Sequence, residues 1–219
     1  MEAARIRGLG LSSARAFDEA SRTYDAWYEE HLAELLSELK ALRKLLRPGL
    51  RLDVGVGTGL VAQRLGVEVG VDLSLGMLRR ALKRGIAVVK GVGEHLPFRE
   101  ACFDHVVTVA TLCFLDDPAG AVKEAWRVVK PGGCFVACFI SKESEWGKLY
   151  EARRSRGGIY ARMRLLAPSE VMELLRKAGF KLGRVAATLS QPPGSGVVEE
   201  PSGEVEGRGF VCLEGLKET

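Results

Sequence analysis

Apolar residues along this chain recur with two periods, and the two alternate through its middle. Leu50, Leu52, Val54 and Val56 form a short strand-like run over 50–56. Runs of the same character cover 67–71, 86–90, 103–110 and 133–140, and two more cover 180–190 and 207–216. Between them, apolar positions three and four apart predict helices over 59–65, 75–84 and 118–130, and Pro168 opens another that Gly179 closes. Ahead of the first strand, 17–46 is helical in pattern, with a stripe of Leu32, Leu35, Leu36, Leu39, Leu42 and Leu46. Strand and helix in alternation imply a parallel sheet with right-handed crossovers, so a ligand is expected at the carboxyl ends of the strands. The last two strands read as an antiparallel pair, and 191–206 between them reads as a mobile loop.

The first strand runs into Asp53-Val-Gly55-Val-Gly57-Thr-Gly59-Leu. Alternate glycines let a ligand lie on bare backbone beside a helix N-terminus. A dinucleotide fingerprint places its third glycine differently, and counting from Gly55 that position holds Leu60. The second strand ends in Asp72, an acidic tip suited to a ribose diol, and Ser74 is placed to cap the following helix. Further along come Gly91-Val-Gly-Glu-His-Leu-Pro-Phe98 and Trp126-Arg-Val-Val-Lys-Pro-Gly-Gly133.

In this order the segments resemble the class I S-adenosylmethionine (SAM) methyltransferases, most of all the small-molecule enzymes of ubiquinone and menaquinone biosynthesis. The resemblance spans about residues 17–180. It implies an α/β fold: one Rossmann-like domain with a mostly parallel seven-stranded sheet, an antiparallel last strand and helices on both faces. It implies SAM as cofactor, with S-adenosylhomocysteine as product. Carried onto this chain, the cofactor positions are Asp53, Gly55, Val56, Gly57, Thr58 and Gly59 in the glycine turn, and Asp72, Leu73 and Met77 after the second strand. Gly93 and Glu94 follow, then Ala110, Thr111 and Leu112 after the fourth strand. The family's adenine loop often begins Gly-Asp-Ala. Val92 stands at the Asp position, so adenine is expected to meet backbone near Gly93 and Glu94, or the Glu94 side chain.

Four segments follow from this reading. Residues 1–47 are an N-terminal arm and helical lid, 48–140 the cofactor core, 141–166 an acceptor-side insertion, and 167–219 the last helix and edge strands. In the lid, Tyr24, Trp27, Tyr28 and His31 share a helix face. Two readings stand: aromatic cover for a sulfonium cation, or ordinary packing on the sheet edge. Tyr24 and His31 are the candidate bases, should the acceptor hold its proton near neutral pH. The insertion carries Arg153, Arg154, Arg156, Arg162 and Arg164, which read either as a solvated face or as the grip on an anionic acceptor.

Composition narrows the rest. A net charge of +4 does not demand nucleic acid, and no apolar run is long enough to span a bilayer. With no signal-like N-terminus the chain reads as cytoplasmic. It has no asparagine and two glutamines, Gln63 and Gln191, which points to a thermophilic source. Its five cysteines form no C-x-x-C pair, so no metal site is expected. Cys134 and Cys138 in the fifth strand, and Cys113, read as small buried hydrophobes. The expected activity is methyl transfer to a small-molecule acceptor. The rivals are a nucleic-acid methyltransferase, a SAM-binding protein without catalysis, and an NAD(P)-binding oxidoreductase.

Overall fold

The computed structural model describes residues 11–219. Seven strands make one sheet in the order β3-β2-β1-β4-β5-β7-β6. They are β1 (Arg51–Val54), β2 (Val69–Asp72), β3 (Ala87–Lys90), β4 (Phe103–Val109), β5 (Val129–Ile140), β6 (Lys181–Thr188) and β7 (Phe210–Leu216). β7 runs antiparallel to both neighbours and the other pairings are parallel. The chain order reverses between β1 and β4, which opens the crevice where ligands of such sheets bind. Two cores flank the sheet. One contains Leu35, Leu39, Val56, Val107 and Trp146, the other Leu52, Val54, Val106, Phe135 and Leu175. Leu52 and Val54 of β1 thus share one face, and the successive residues Val106 and Val107 of β4 serve opposite faces, as the two-residue strand repeat requires.

The crossover helices are α4 (Leu60–Leu65), α5 (Leu75–Lys83) and α6 (Pro118–Val128), and α8 (Pro168–Ala178) follows the insertion. Ser74 caps α5 through Met77 N, and Asp117 caps α6 through Gly120 N. The sequence pattern carried the helix before β5 to residue 130. It ends at Val128 and β5 begins at once. Pro131 disfavours helical geometry at Lys130, so the chain turns extended earlier than apolar spacing suggests.

The N-terminal segment is not one helix. It is broken into α1 (Leu11–Ala20), α2 (Ala26–Glu30) and α3 (Leu32–Leu45). Part of the expected loose arm lies outside the described residues, and from Leu11 onward it is helical. At the first break Ser21 and Thr23 hydroxyls donate to the carbonyls of Asp18 and Ala20, and such side chains compete with the helix ladder. At the second, His31 leaves helical geometry with φ −124° and ψ 53°. The insertion forms α7 (Glu145–Arg154) and a 3-10 turn, Gly158–Arg162.

Two expectations change. The 191–206 segment has no regular structure, but it is tied to α3. Gly194 N donates to Glu34 at 2.7 Å and Glu199 N to Ser37 Oγ at 2.9 Å. Cys138 is not an inert thiol. It lies opposite Cys212 in the β5–β7 register and the two form a disulfide, while Cys102, Cys113 and Cys134 are free. A pairing across 74 residues leaves no local mark in sequence. Thiol titration of the denatured, unreduced protein should therefore find three groups, and five after reduction. Replacing Cys138 and Cys212 by Ser should lower stability to denaturant by about 2–4 kcal/mol.

Candidate active site

At the carboxyl end of β1 the chain crosses to β2, with Gly55 N and Val56 N both donating to Val71 O at 2.8 and 3.0 Å. A Cβ at Gly55 would come within 2.3 Å of the Thr111 side chain, so close packing fixes that glycine. Gly57 has φ +54° and a Cβ there would meet nothing within 4 Å, so its bare backbone faces open space. Asp72 closes the turn. Its Oδ2 accepts from Gly57 N at 3.0 Å and its Oδ1 from Ser74 N at 2.8 Å. Each oxygen keeps a lone pair for a ligand hydroxyl. Burial holds this carboxyl above the ordinary aspartate range, against the pull of the amides of Ser74, Gly57 and Leu73.

These groups border a cleft enclosing about 750 Å³, part of it open to solvent. Of the sequence-derived positions, Gly55, Gly57, Asp72, Leu73, Met77, Gly93, Glu94, Ala110 and Thr111 line it. Asp53, Val56, Thr58, Gly59 and Leu112 lie behind this lining. Asp53 is 3% exposed, and its Oδ1 has no partner among the described residues. Burial, then the nearby Asp72 charge, pushes its pKa up to about 7. Glu94 lines the cleft, but its Oε1 accepts from Asp116 N and Asp117 N at 3.1 and 3.3 Å. Phe17 of α1 and Phe114 meet edge to face at 5.0 Å across the cleft lining, where sequence gave no sign of their pairing.

The lid is fastened to the loops that build the cleft. Asp18 Oδ1 accepts from Ser74 Oγ at 2.6 Å and Gly76 N at 2.7 Å. Asp25, 5% exposed, accepts from Thr58 Oγ1 at 2.6 Å and Arg84 Nη2 at 2.7 Å, and Arg84 Nη1 donates to Thr58 O. Thr58 therefore faces the lid with its hydroxyl, which is why it is absent from the cleft lining.

Behind the cleft lies a second chamber of about 890 Å³, and Tyr24, Ala110 and Phe114 border both. Ala110 takes φ +51°, a strained setting for a residue with a Cβ, at the junction of the two spaces. Trp27, Tyr28, Tyr150 and Tyr160 line the chamber together with Glu38 of α3. Glu38 Oε2 accepts from Tyr28 Oη at 3.0 Å. Burial pushes the Glu38 carboxyl up to about 8, against the Tyr28 hydrogen bond.

Of the two candidate bases, only Tyr24 reaches this place. Burial first, then Tyr160 and other neighbours, holds its phenol above the usual tyrosine range, so near neutral pH it offers a hydrogen bond. His31 lines neither space. Its ring stacks on Trp27 at 4.4 Å, with Nδ1 2.8 Å from Trp27 O, because the chain turns at His31 itself. None of the five insertion arginines lines the chamber. Arg153 lies over Tyr150 and Tyr160, and Arg154 pairs with Glu151. Burial pushes the Cys113 thiol up to about 12, in keeping with an unreactive core residue. Among the described residues no His, Cys, Asp and Glu grouping could hold a metal, and no helix is long and apolar enough to cross a membrane.

Residues 52–137 match the family described as a methyltransferase domain. A crystal structure from Thermotoga maritima, described as a SAM-dependent methyltransferase and possible histamine N-methyltransferase, superposes with a TM-score of 0.91. It is 36% identical, and the match covers 94% of this chain and 100% of that one. An uncharacterised protein of Methanocaldococcus jannaschii is 35% identical over 146 residues, which are 66% of this chain and 71% of the relative. An uncharacterised protein of Mycobacterium tuberculosis is 37% identical over 140 residues. The chain spans about half of that relative's length, 49%.

Two outcomes follow from the buried acids. The folded state keeps the Glu38 proton up to about pH 8, whereas an ordinary glutamate releases it near 4.5. This group's contribution is thus fully present below pH 4.5 and is lost as pH rises through 8. Glu38→Gln should be at least as stable as the parent at pH 9 and should narrow the loss between pH 5 and pH 9, read from denaturant midpoints. Asp25→Ala removes the partner of Arg84 and Thr58. It should cost on the order of 1–3 kcal/mol and speed amide exchange in α1, α2 and the 57–59 turn.

Proposed function

We propose that this chain, which belongs to the SAM-dependent methyltransferase family, moves a methyl group from SAM to a small molecule seated in the aromatic chamber. The observation that supports the reading is two adjoining spaces with different chemistry. One has a carboxylate and bare backbone, the other aromatic walls, and Tyr24, Ala110 and Phe114 stand between them.

The residues of the first space fit SAM. Asp72 would take the ribose hydroxyls with the lone pairs that Gly57 and Ser74 leave free. Gly57 presents backbone where any side chain would intrude on the cleft. Leu73, Met77, Val92 and Leu115 would flank the adenine, with Val92 giving an apolar contact where the family often has a carboxylate. Asp53, beneath the turn with one unpaired oxygen, would answer the positive amino group of the methionine portion. When bound, SAM supplies a methyl group on a sulfonium, a strong electrophile that needs no further activation.

The chain's own part is alignment and exclusion of water. α1 and the turn after it, held by Asp18 and Asp25, cover the cleft, so the same bonds that seat them shape the floor. The Tyr24, Phe17 and Phe114 rings present faces and edges near the junction, and aromatic faces favour a cation. Low amide content and relatives from Thermotoga and Methanocaldococcus support a thermophilic origin, and some intracellular proteins of hyperthermophiles keep disulfides.

Calorimetric titration tests the reading. S-adenosylhomocysteine should bind in the micromolar range and NAD should not, and Asp72→Ala should weaken the former by at least tenfold. NAD binding without S-adenosylhomocysteine binding would overturn it in favour of an oxidoreductase.

A further inference from the structure

Glu38 sits in the chamber wall with a charge problem that the protein leaves open. It is 3% exposed, and the one hydrogen bond to its side chain among the described residues comes from a neutral phenol, Tyr28. No Lys, Arg or His is among the residues that line the chamber. Two basic residues touch its walls from outside without lining it: Arg153 lies over the Tyr150 and Tyr160 rings, and the His31 ring stacks on Trp27. A carboxylate withdrawn from water without a cation is strongly disfavoured. The surroundings do not relieve this, since Glu34, one helical turn away on α3, adds a like charge. The rest of the wall is aromatic: Trp27, Tyr150, Tyr160 and Phe210 present rings, which attract cations and pack well against flat or apolar bodies.

We propose that the missing cation belongs to the acceptor, and that the chamber takes a small apolar or aromatic amine whose ammonium group sits against Glu38 and the Tyr28 hydroxyl. The assignment rests on the second space being the acceptor chamber, as argued above. It replaces the anionic acceptor that the insertion arginines suggested in sequence, because those guanidiniums face elsewhere. A cation beside Glu38 stabilises the carboxylate, so an entering ammonium displaces the carboxyl proton to solvent. One proton leaves and one positive charge arrives, and the site's net charge is unchanged. Glu34, Tyr24, Tyr28 and Tyr150 are the titratable groups whose charges act on this cluster. The tyrosines all stay protonated near neutral pH, since burial raises each.

The test uses the full chain saturated with S-adenosylhomocysteine, whose own binding is measured first. The probes are 2-phenylethylamine and tryptamine, each against its matched alcohol and carboxylate, titrated at pH 7 in buffers of different ionisation enthalpy. The amines should bind at least tenfold more tightly than the alcohols, the carboxylates most weakly, and amine binding should release close to one proton. Glu38→Gln should abolish the amine preference and the proton release while leaving alcohol binding and S-adenosylhomocysteine binding unchanged. That last value also shows that the variant is folded. Tyr28→Phe should reduce the amine preference to a smaller extent. If S-adenosylhomocysteine binds but no amine does, or if amines and alcohols bind alike, the amine assignment is overturned. It is overturned equally if Glu38→Gln leaves the preference intact, which would make Glu38 a structural partner of Tyr28. Failure of the wild type to bind S-adenosylhomocysteine would instead overturn the methyltransferase reading on which the assignment rests.

Discussion

A parallel strand that ends in a tight turn leaves backbone amides with no partner in the sheet, and this chain answers them with carboxylates. Asp72 takes the Gly57 and Ser74 amides, and Asp18, from another element altogether, takes Gly76. Asp72 of β2 thereby holds both turns at the mouth of the sheet, and Asp18 of the N-terminal helices holds the second of them. Asp25 adds a third link through Thr58 and Arg84. Cleft and cover are consequently one hydrogen-bonded unit. Loosening the lid must leave an amide, two hydroxyls and a guanidinium short of partners, so the lid's position and the shape of the glycine turn are not independent variables.

What was legible in the sequence follows from how local each signal is. The strands and crossover helices carried their own periodicity. Asp72 was found because it lies a fixed distance along the chain from the glycine turn. Gly55 and Gly57 were recognised together, although the structure separates their reasons: one avoids Thr111 and the other leaves room. Residues that act through packing between distant elements were not legible. Phe17 meets Phe114 across 97 residues, Cys138 meets Cys212 across 74, and Glu38 reaches the chamber only because α3 lies under it. His31 was misplaced for the opposite reason. Its helical spacing from Tyr24 and Tyr28 was read as a shared face, but the helix ends there and the ring folds back on Trp27. Thr58 belongs to the glycine motif, yet its hydroxyl turns toward Asp25 rather than the cleft.

Among the buried acids of the chain two stand apart from the rest. Glu214 is 1% exposed and meets the guanidiniums of Arg47 and Arg184 at 2.9 and 2.8 Å, which outweigh its burial and hold its pKa low. Asp25 has Arg84, and Glu34 accepts the Gly194 amide. Each of these acids is satisfied by a cation or a backbone donor, and each joins two pieces of structure. Asp53 and Glu38 are the two whose burial raises the pKa to about 7 and about 8, and the two stand beneath or beside the open spaces. A chain that supplies arginine so readily elsewhere could have supplied it here. Two carboxyls withdrawn from water with no cation beside them cost stability in their charged form, and a positively charged ligand at either would offset that cost. On the proposed reading the two acids would divide the labour: Asp53 beneath the glycine turn would answer the amino group of the cofactor, and Glu38 in the aromatic wall that of the acceptor.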